Sequence, residues 1–165
     1  MRHIALWAIL AGLFIGIGSP ALLNAEEANG IPVGSVAPPL QGSAWITADG
    51  KAPEMKGKVV LIDFWFEKCG PCVAAMPQVM ALNKKYAERG LVVVGASVDP
   101  APAVKAFKLK KGIEYAMLAE TKTDPFQQEL FPYIFLIGKN GKIIWKGDLD
   151  VKEVSEKIEA ALAEK

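Results

Sequence analysis

Four apolar runs along the chain have the length and the flanks of β-strands. Residues 59–66 and 91–98 are almost continuously apolar, which is typical of strands buried on both faces of a sheet. Residues 133–137 and 142–146 are shorter runs, and the turn between them contains an Asn-Gly pair. Because Asn-Gly between apolar runs favours a tight turn, these two runs predict a β-hairpin near the end of the chain.

Segments with helical periodicity separate these strands. Apolar positions spaced three and four residues apart predict a helix that follows residues 69–72 and runs to about residue 89. A second helix is expected at 101–111, and a last one begins at Asp150, where a capping-box pattern starts. Alternating strands and helices give a parallel sheet, and the final hairpin makes it mixed. The predicted class is therefore α/β, with a central mixed sheet flanked by helices.

Weaker signals predict three smaller elements. A short strand falls within 113–119, and Asp124-Pro125 predicts the start of a short helix that ends near Leu130. The segment 35–58 is rich in Pro and Gly, with one short apolar patch at 44–47 that a turn signal follows. We interpret this segment as a peripheral N-terminal hairpin.

The first 25 residues have the pattern of an export signal. A positive charge at Arg2 precedes an uncharged apolar stretch at 4–18, and a cleavage site of tolerable sequence ends at Ala25. The uncharged stretch can also be extended to about 20 residues, the length that spans a bilayer, so an uncleaved membrane anchor is the alternative. Both interpretations place the remainder of the chain outside the cytoplasm.

The rest of the chain is interpreted as a linker, residues 26–34, and one domain, residues 35–165. The net charge is only +1, so the domain lacks the basic surface that nucleic-acid binding requires. The single histidine is His3, within the predicted signal, and the chain has two cysteines. These counts argue against Ser–His and Cys–His hydrolases and against the usual four-ligand zinc sites. We therefore expect no metal and no other cofactor.

The two cysteines form a Cys-x-x-Cys motif at the point where a strand becomes a helix. The free N–H groups and the positive dipole end at a helix N-terminus stabilise a thiolate. Cys69, at the exposed end, is the expected nucleophile, and Cys72, one turn later, is expected to resolve the mixed disulfide. Pro71 stiffens the turn between them, and Lys68 adds a positive charge beside Cys69.

The Cys-x-x-Cys motif has two alternative roles that the residues alone leave open. An exported protein can carry a static structural disulfide, although a four-residue loop restricts the unfolded chain very little. A half-site for zinc is the second alternative, and the missing histidines weigh against it. The position between a strand and a helix favours redox chemistry over both.

The segment around the cysteines resembles the active site of the thioredoxin-like superfamily. Asp63-Phe64-Trp65 precedes Cys-Gly-Pro-Cys at 69–72, and Phe131-Pro132 is similar to the segment that carries a cis-proline in that fold. Gly-Ser-Val-Ala-Pro at 34–38 resembles the exported TlpA/ResA-like branch, which is related to the AhpC/TSA proteins. The resemblance implies a thioredoxin-like fold with an N-terminal hairpin extension and a central αβ insertion at 99–124.

Roles for individual residues follow from this resemblance. Cys69 would be the attacking thiol, Cys72 the resolving thiol, and Asp63 a buried carboxylate beneath Cys72 that accepts its proton. Pro132 would be cis and face the disulfide. The alternatives are a strand aspartate satisfied by the backbone or by water, and a proline at a strand edge. The implied substrate-binding residues are Trp65, Gly70, Pro71, Phe131 and Pro132.

Three positions depart from the thioredoxin pattern. Lys68 stands where thioredoxins have a second tryptophan, so contacts with substrates are expected to differ. Phe131 is bulkier than the usual residue before the cis-proline, which narrows the expected range of partners. Gly95 stands where thioredoxins often place a lysine near the buried carboxylate, so proton handling by Asp63 is expected to differ as well.

The activity implied by the resemblance is the reduction of disulfides in extracytoplasmic proteins, with cytochrome c maturation as the expected pathway. The expected location is the periplasm. Because that compartment is oxidising, such a reductant needs a membrane thiol-electron donor of the DsbD/CcdA kind. The expected substrates are disulfide-containing exported proteins, the expected state is a monomer, and no nucleic acid is expected as a partner. The alternatives are a disulfide-forming oxidant, a peroxiredoxin-like peroxidase and a non-catalytic binding module.

Overall fold

The computed structural model describes residues 29–164 of the 165-residue chain, so the predicted export signal at 1–25 lies outside the described residues. The strands are β1 (Ala44–Ile46), β2 (Val59–Trp65), β3 (Leu91–Ser97), β4 (Ala116–Ala119), β5 (Tyr133–Ile137) and β6 (Ile143–Gly147). The helices are α1 (Gly70–Tyr86), α2 (Ala101–Lys111) and α3 (Val151–Ala163), with 3₁₀ turns at Ala87–Arg89 and Asp124–Phe126. Within the described range, the strands form one sheet in the order β1-β4-β3-β2-β5-β6.

Strand β2 lies at the centre of the sheet, which explains its almost uninterrupted apolar sequence. It runs parallel to β3 and antiparallel to β5, and all seven of its residues are buried. Strands β5 and β6 form the predicted hairpin, closed by a hydrogen bond of 2.9 Å from the Gly138 N–H to the Lys142 carbonyl. The α/β class and the mixed sheet are confirmed.

The side chains of β2 alternate between two hydrophobic clusters, one on each face of the sheet. Leu61 and Trp65 pack in the cluster that contains the buried side chains of all three α-helices. Ile62 and Phe64 pack in the cluster on the other face. Because alternate residues of a strand share a face, Asp63 points to the same side as Leu61 and Trp65. Its carboxyl therefore lies in the layer between the sheet and the helices.

Local sequence signals set the ends of α1 and α2. Helix α1 begins directly after Cys69, which is its N-cap, and continues through Pro77 to Tyr86. Helix α2 ends at Gly112, which has a φ of 63°. This left-handed conformation is unfavourable for residues with a side chain, so glycine suits a helix end here. Both predicted helices are confirmed.

Helix α3 begins at the predicted residue, but its capping differs from a capping box. The Asp150 carboxylate accepts a hydrogen bond of 3.0 Å from the Glu153 N–H. The box is not completed, because the Asp150 N–H donates to the Asp148 carbonyl at 2.9 Å. The Glu153 carboxylate instead accepts a hydrogen bond of 2.9 Å from Trp145 Nε1 on β6. This contact ties the first turn of α3 to the sheet, while Val154 and Ile158 bury the apolar face of the helix.

The predicted N-terminal hairpin is absent from the described residues. Strand β1 pairs antiparallel with β4, and Val36 makes a separate antiparallel bridge with Lys142 at the opposite side of the sheet. The apolar patch of β1 is three residues long, too short to support a hairpin of its own. It instead covers the edge of β4 that would otherwise be unpaired. The N-terminal segment thus borders both edges of the sheet.

The described part of the predicted linker belongs to the folded domain. The N–H of Gly30 donates to the Gln127 carbonyl at 2.8 Å, and the N–H of Ile31 donates to the Phe126 carbonyl at 2.9 Å. The Asn29 side chain accepts a hydrogen bond of 2.9 Å from the Glu129 N–H. The folded domain therefore begins before residue 35, and its first residues hold the segment that precedes Pro132.

The predicted central insertion is present as α2 and β4, and β4 runs parallel to β3. The short helix predicted from Asp124 to Leu130 is reduced to the 3₁₀ turn Asp124–Phe126, because Gln127 adopts a left-handed φ of 51° that ends it. No helix in the range 29–164 has both the length and the apolar character needed to cross a membrane.

Candidate active site

Cys69 and Cys72 form a disulfide at the junction of β2 and α1. Their Cα atoms are 5.2 Å apart, and the Cys69 sulfur accepts a hydrogen bond of 3.2 Å from the Cys72 N–H. The sulfur of Cys69 thus occupies the N-cap position, where the orphan N–H groups and the helix dipole favour negative charge. The same contact would stabilise a thiolate at Cys69 once the disulfide is reduced.

The two cysteines differ in their access to solvent. Cys69 is 6% exposed and Cys72 only 1% exposed, while Gly70 and Pro71 between them are exposed. A partner can therefore approach the helix end over Gly70 and Pro71 and reach Cys69 first. Lys68, the residue before Cys69, is also exposed. This asymmetry suits an attacking thiol at Cys69 and a resolving thiol at Cys72.

Asp99 fixes the loop that leads into the disulfide. Its Oδ2 accepts hydrogen bonds from the Glu67 N–H at 2.6 Å and from the Ser97 hydroxyl at 3.1 Å. Glu67 lies two residues before Cys69, so the end of β3 holds the approach to α1 in place. In the sequence, Asp99 is recognisable only as a residue before a helix. Asp99 lies just beyond the end of β3, which runs parallel to β2, so it is at the same edge of the sheet as the disulfide. This position is the feature that could have indicated its role.

Asp63 is a buried carboxyl in the layer that also contains Cys72. It is 3% exposed, and burial raises its pKa from 3.8 to about 7. A carboxyl with a pKa near 7 can accept and release a proton at neutral pH, as a proton acceptor for a thiol must. Its neighbours in register, Gly95 on β3 and Ile134 on β5, are uncharged.

Phe131 and Pro132 form a second segment of the site, joined by a cis peptide bond. Both residues are half-buried. The ring of Phe131 packs edge to face against that of Phe66, with centroids 5.2 Å apart and planes at 85°. Phe66 lies three residues before Cys69, so this pair connects the cis-proline segment to the loop of the disulfide. The sequence alone did not identify Phe66 as part of the site, because it lies within the apolar run that predicts β2.

Trp65 does not contribute to the surface of the site. Its side chain is 0% exposed and its ring lies 4.8 Å from that of Phe107 on α2, measured between centroids. The prediction that Trp65 contacts substrate is therefore corrected: a partner docked on the surface cannot reach it. The four other predicted substrate-binding residues, Gly70, Pro71, Phe131 and Pro132, are exposed or half-buried, and their role stays a prediction.

The arrangement brings together the groups that dithiol–disulfide exchange uses. A dithiol–disulfide pair requires a nucleophilic thiolate, a second thiol and a proton acceptor. Among residues 29–164, no group of three or more His, Cys, Asp or Glu side chains is placed to hold a metal ion. The fold and the site together define the protein as a thiol–disulfide oxidoreductase of thioredoxin-like fold.

Comparison with known proteins identifies the family. The sequence profile of the AhpC/TSA family matches residues 33–146, and the chain belongs to this family. It is 26% identical over 166 residues to thiol-disulfide oxidoreductase ResA of Geobacillus thermodenitrificans, in an alignment that covers 97% of this chain and 94% of that protein. It is 30% identical over 117 residues to ResA of Bacillus thuringiensis subsp. konkukian, in an alignment that covers 66% of this chain and 68% of the relative.

Solved structures give the same result for the fold. A candidate thiol:disulfide interchange protein DsbE from Chlorobium tepidum superposes with a TM-score of 0.70 at 25% identity. The alignment covers 81% of this chain and 99% of that one. The thioredoxin-like fold, predicted from the segment around the cysteines, and the resemblance to the ResA-like branch, predicted from residues 34–38, are thereby confirmed.

Proposed function

We propose that the protein is an extracytoplasmic dithiol reductant that reduces disulfides in exported proteins. The observation that carries this proposal is the position of the Cys69–Cys72 disulfide at the start of α1, with Asp63 buried in the layer that holds Cys72. After reduction, the hydrogen bond from the Cys72 N–H would stabilise Cys69 as a thiolate, and Asp63, with a pKa near neutrality, would accept the proton of Cys72. These are the two requirements of a dithiol that must attack and then release a substrate.

The reaction begins with the reduced protein. The Cys69 thiolate attacks one sulfur of the substrate disulfide, whose S–S bond breaks, and the departing substrate sulfur takes a proton from solvent. Cys72 then gives its proton to Asp63, and its sulfur attacks Cys69 Sγ. The bond between Cys69 and the substrate breaks, and the second substrate sulfur leaves. The substrate has gained two electrons, and the protein ends as the disulfide seen in this structure.

Substrate recognition is proposed to combine backbone pairing with apolar contact. The segment at Phe131 and Pro132 lies half-buried and connects through Phe66 to the disulfide loop. An extended substrate strand can pair with the backbone before the proline while it places its disulfide over Cys69. The names of the relatives, thiol-disulfide oxidoreductase ResA and a DsbE-type interchange protein, support a protein disulfide as the substrate.

The proposal includes a location and an electron source. The predicted export signal at 1–25 directs the domain to the periplasm or an equivalent space, which is kept oxidising. Each turnover consumes two electrons, so a membrane thiol-electron donor of the DsbD/CcdA kind must return them to Cys69 and Cys72. Apocytochrome c, oxidised within its Cys-x-x-Cys-His motif, is the proposed substrate.

The experiment that tests the direction of the reaction is a measurement of the reduction potential of the Cys69–Cys72 pair. The pair is equilibrated with glutathione or with a thioredoxin standard, and the Cys69→Ser variant serves as the redox-inactive control. A potential close to that of thioredoxin, about −270 mV, supports the reductant, and one close to that of DsbA, about −120 mV, replaces it with a disulfide-forming oxidant. A disulfide that none of these couples reduces would indicate a structural role.

Two further assays separate the remaining parts of the proposal. Reduction of an oxidised peptide with a Cys-x-x-Cys-His motif, compared with reduction of insulin, tests the proposed substrate. Fractionation of bacteria that express the full chain, or a variant without residues 1–25, tests the location. Recovery of the full chain in the cytoplasm would contradict it.

A further inference from the structure

Gly95 creates space for two aromatic side chains beside Asp63. A Cβ atom at this position would lie 3.1 Å from Trp65 Nε1 and 3.2 Å from Tyr115 Cε2, closer than nine in ten real contacts of such an atom. Gly95 is also the direct neighbour of Asp63 in register on β3. The ring of Tyr115, which precedes β4, therefore extends across β3 at a position without a side chain, toward Asp63 on β2.

The hydroxyl of Tyr115 is a buried donor without a hydrogen-bond partner. Tyr115 is 4% exposed, and its hydroxyl makes no hydrogen bond among the described residues. The Tyr115 hydroxyl nevertheless interacts electrostatically with Asp63, since the pKa of Tyr115 is raised first by burial and then by the negative charge of Asp63. Buried polar groups in folded proteins nearly always have a partner, so an unpaired hydroxyl near a buried carboxyl must have a physical reason.

The other groups packed around Asp63 do not provide a charge. Its register neighbours on β3 and β5 are Gly95 and Ile134. On α1, Cys72 in the first turn is bound in the disulfide, and the other titratable residues, Lys84, Lys85 and Tyr86, lie at the far end of the helix. From α2, the Lys108 ammonium donates hydrogen bonds to the carbonyl oxygens of Ile113 and Tyr115. Burial alone accounts for the raised pKa of Asp63, so no cation is compensating its charge.

We propose that Tyr115 is a positioning residue for Asp63, whose ionised carboxylate receives a hydrogen bond from the Tyr115 hydroxyl. The inference rests on the proposed dithiol chemistry, in which Cys72 gives its proton to Asp63 before its sulfur attacks Cys69 Sγ. A donor to the carboxylate stabilises the charged form, so it holds Asp63 ready to accept that proton at neutral pH. After the transfer, Asp63 is neutral and the hydrogen bond to its charged form is lost. In the disulfide form described here, the Tyr115 hydroxyl makes no hydrogen bond among the described residues.

The substitution Tyr115→Phe tests this assignment. It removes one unpaired oxygen and keeps the ring that fills the space over Gly95, so the fold is expected to be retained. The pKa of Asp63 is measured in the full chain by NMR titration of its carboxyl carbon. The oxidised protein is used, because neither cysteine titrates in the disulfide. We expect the Asp63 pKa to rise by about one unit in the variant, the size expected from one hydrogen bond to a charged group.

The matched control is Tyr86→Phe. Tyr86 is another buried tyrosine, at the far end of α1, where Lys85 and Arg89 lie over its ring. Its substitution should leave the Asp63 titration unchanged. An Asp63 pKa that is equal in the wild-type protein and in Tyr115→Phe, or lower in the variant, would overturn the assignment.

A measurement on the unaltered protein gives an independent test if the variant does not fold. Because coupling between two groups is reciprocal, the ring resonances of Tyr115 should shift with the same midpoint as the Asp63 carboxyl. The ring resonances of Tyr86 should not follow that midpoint. A Tyr115 ring that is insensitive to the ionisation of Asp63 would also overturn the proposal.

A kinetic assay separates this inference from the proposed function. The rate at which Cys72 resolves a mixed disulfide on Cys69 should rise with pH as Asp63 ionises. In Tyr115→Phe the midpoint of that profile should move upward by about one pH unit, with the same plateau at high pH. A wild-type protein that resolves no mixed disulfide at any pH would refute the reductant function, while the titration would still decide the role of Tyr115.

Discussion

The ring of Phe66, three residues before Cys69, meets the ring of Phe131 edge to face, with centroids 5.2 Å apart. Phe66 belongs to the loop between β2 and α1, and Phe131 and Pro132 directly precede β5. The two halves of the candidate site are thus joined by one aromatic contact rather than only by the sheet below them. An altered position of either ring would change the groove beside the disulfide.

The energy of this contact can be measured with a double-mutant cycle. Edge-to-face aromatic pairs contribute about 0.5–1.5 kcal/mol beyond the area that they bury. We expect Phe66→Ala and Phe131→Ala each to lower the free energy of unfolding, and the double variant to lose less than the sum of the two by that amount. Urea denaturation of the oxidised wild-type and variant proteins measures the loss of unfolding free energy in each single variant and in the double variant. Strict additivity would show that the rings do not interact.

Because Asp63 is buried, we expect the free energy of unfolding to fall as the pH rises. In the unfolded chain its carboxyl ionises near pH 3.8, whereas in the folded protein its pKa is about 7. Between these values the folded state keeps a proton that the unfolded state has lost, so stability falls as the pH rises. Over about three pH units the loss amounts to about 4 kcal/mol, and it is complete above about pH 8.

The substitution Asp63→Asn removes this cost, because the amide has no charge to bury. We expect the variant to gain stability over the wild-type protein progressively between about pH 4 and about pH 8, by up to about 4 kcal/mol, with no further gain at higher pH. Urea denaturation at several pH values measures the difference. The exposed Asp148→Asn variant is the control. A difference that does not change with pH would mean that Asp63 is not buried as a carboxyl of raised pKa.

The parts of the fold that were predictable are those in which local pattern and tertiary structure agree. Strand β2 is apolar except for Asp63 because both faces are covered, and α2 ends where Gly112 permits a left-handed φ. The partner of β1 was not predictable, because a three-residue strand carries no information about which edge it joins. Pairing between residues distant in sequence depends on the assembled sheet.

The candidate site also combines features that the sequence predicts with features that depend on the assembled sheet. The spacing of Cys69 and Cys72 was sufficient to predict that the pair lies where a strand becomes a helix, and the structure places their disulfide there. The contributions of Asp99 and Tyr115 depend on which strands are neighbours, and a single sequence does not state that. Trp65 was assigned to the surface by resemblance, but the side-chain alternation of β2 directs it into the core. The same alternation directs Asp63 toward the layer of Cys72.

Anchoring of the active-site loop by Asp99 gives a further prediction. The substitution Asp99→Ala leaves the N–H of Glu67 and the hydroxyl of Ser97 without their shared acceptor. We expect the free energy of unfolding to fall by about 1–3 kcal/mol, as for the loss of hydrogen bonds to a charged group. The conservative variant Asp99→Asn retains one acceptor oxygen and should lose less. Equal stability of Asp99→Ala and the wild-type protein would show that the loop does not depend on Asp99.

The different exposure of the two cysteines predicts which of them forms the bond with the substrate. In Cys72→Ser, the more accessible Cys69 can still attack a substrate disulfide, but no second sulfur is present to resolve the product. We expect this variant to accumulate a mixed disulfide in about one-to-one ratio with the substrate, visible by mass spectrometry as an adduct that a reductant removes. Turnover should fall to the background rate.

The reciprocal variant Cys69→Ser keeps the cysteine that is 1% exposed, so it should form almost no adduct with the same substrate. The comparison is informative because both variants lose the disulfide and one thiol, and they differ only in the position of the remaining sulfur. If Cys69→Ser formed the adduct as fast as Cys72→Ser, burial would not protect Cys72. The assignment of attacking and resolving thiols would then have to be reversed or abandoned, and with it the proposed role of Asp63 as proton acceptor for the resolving thiol.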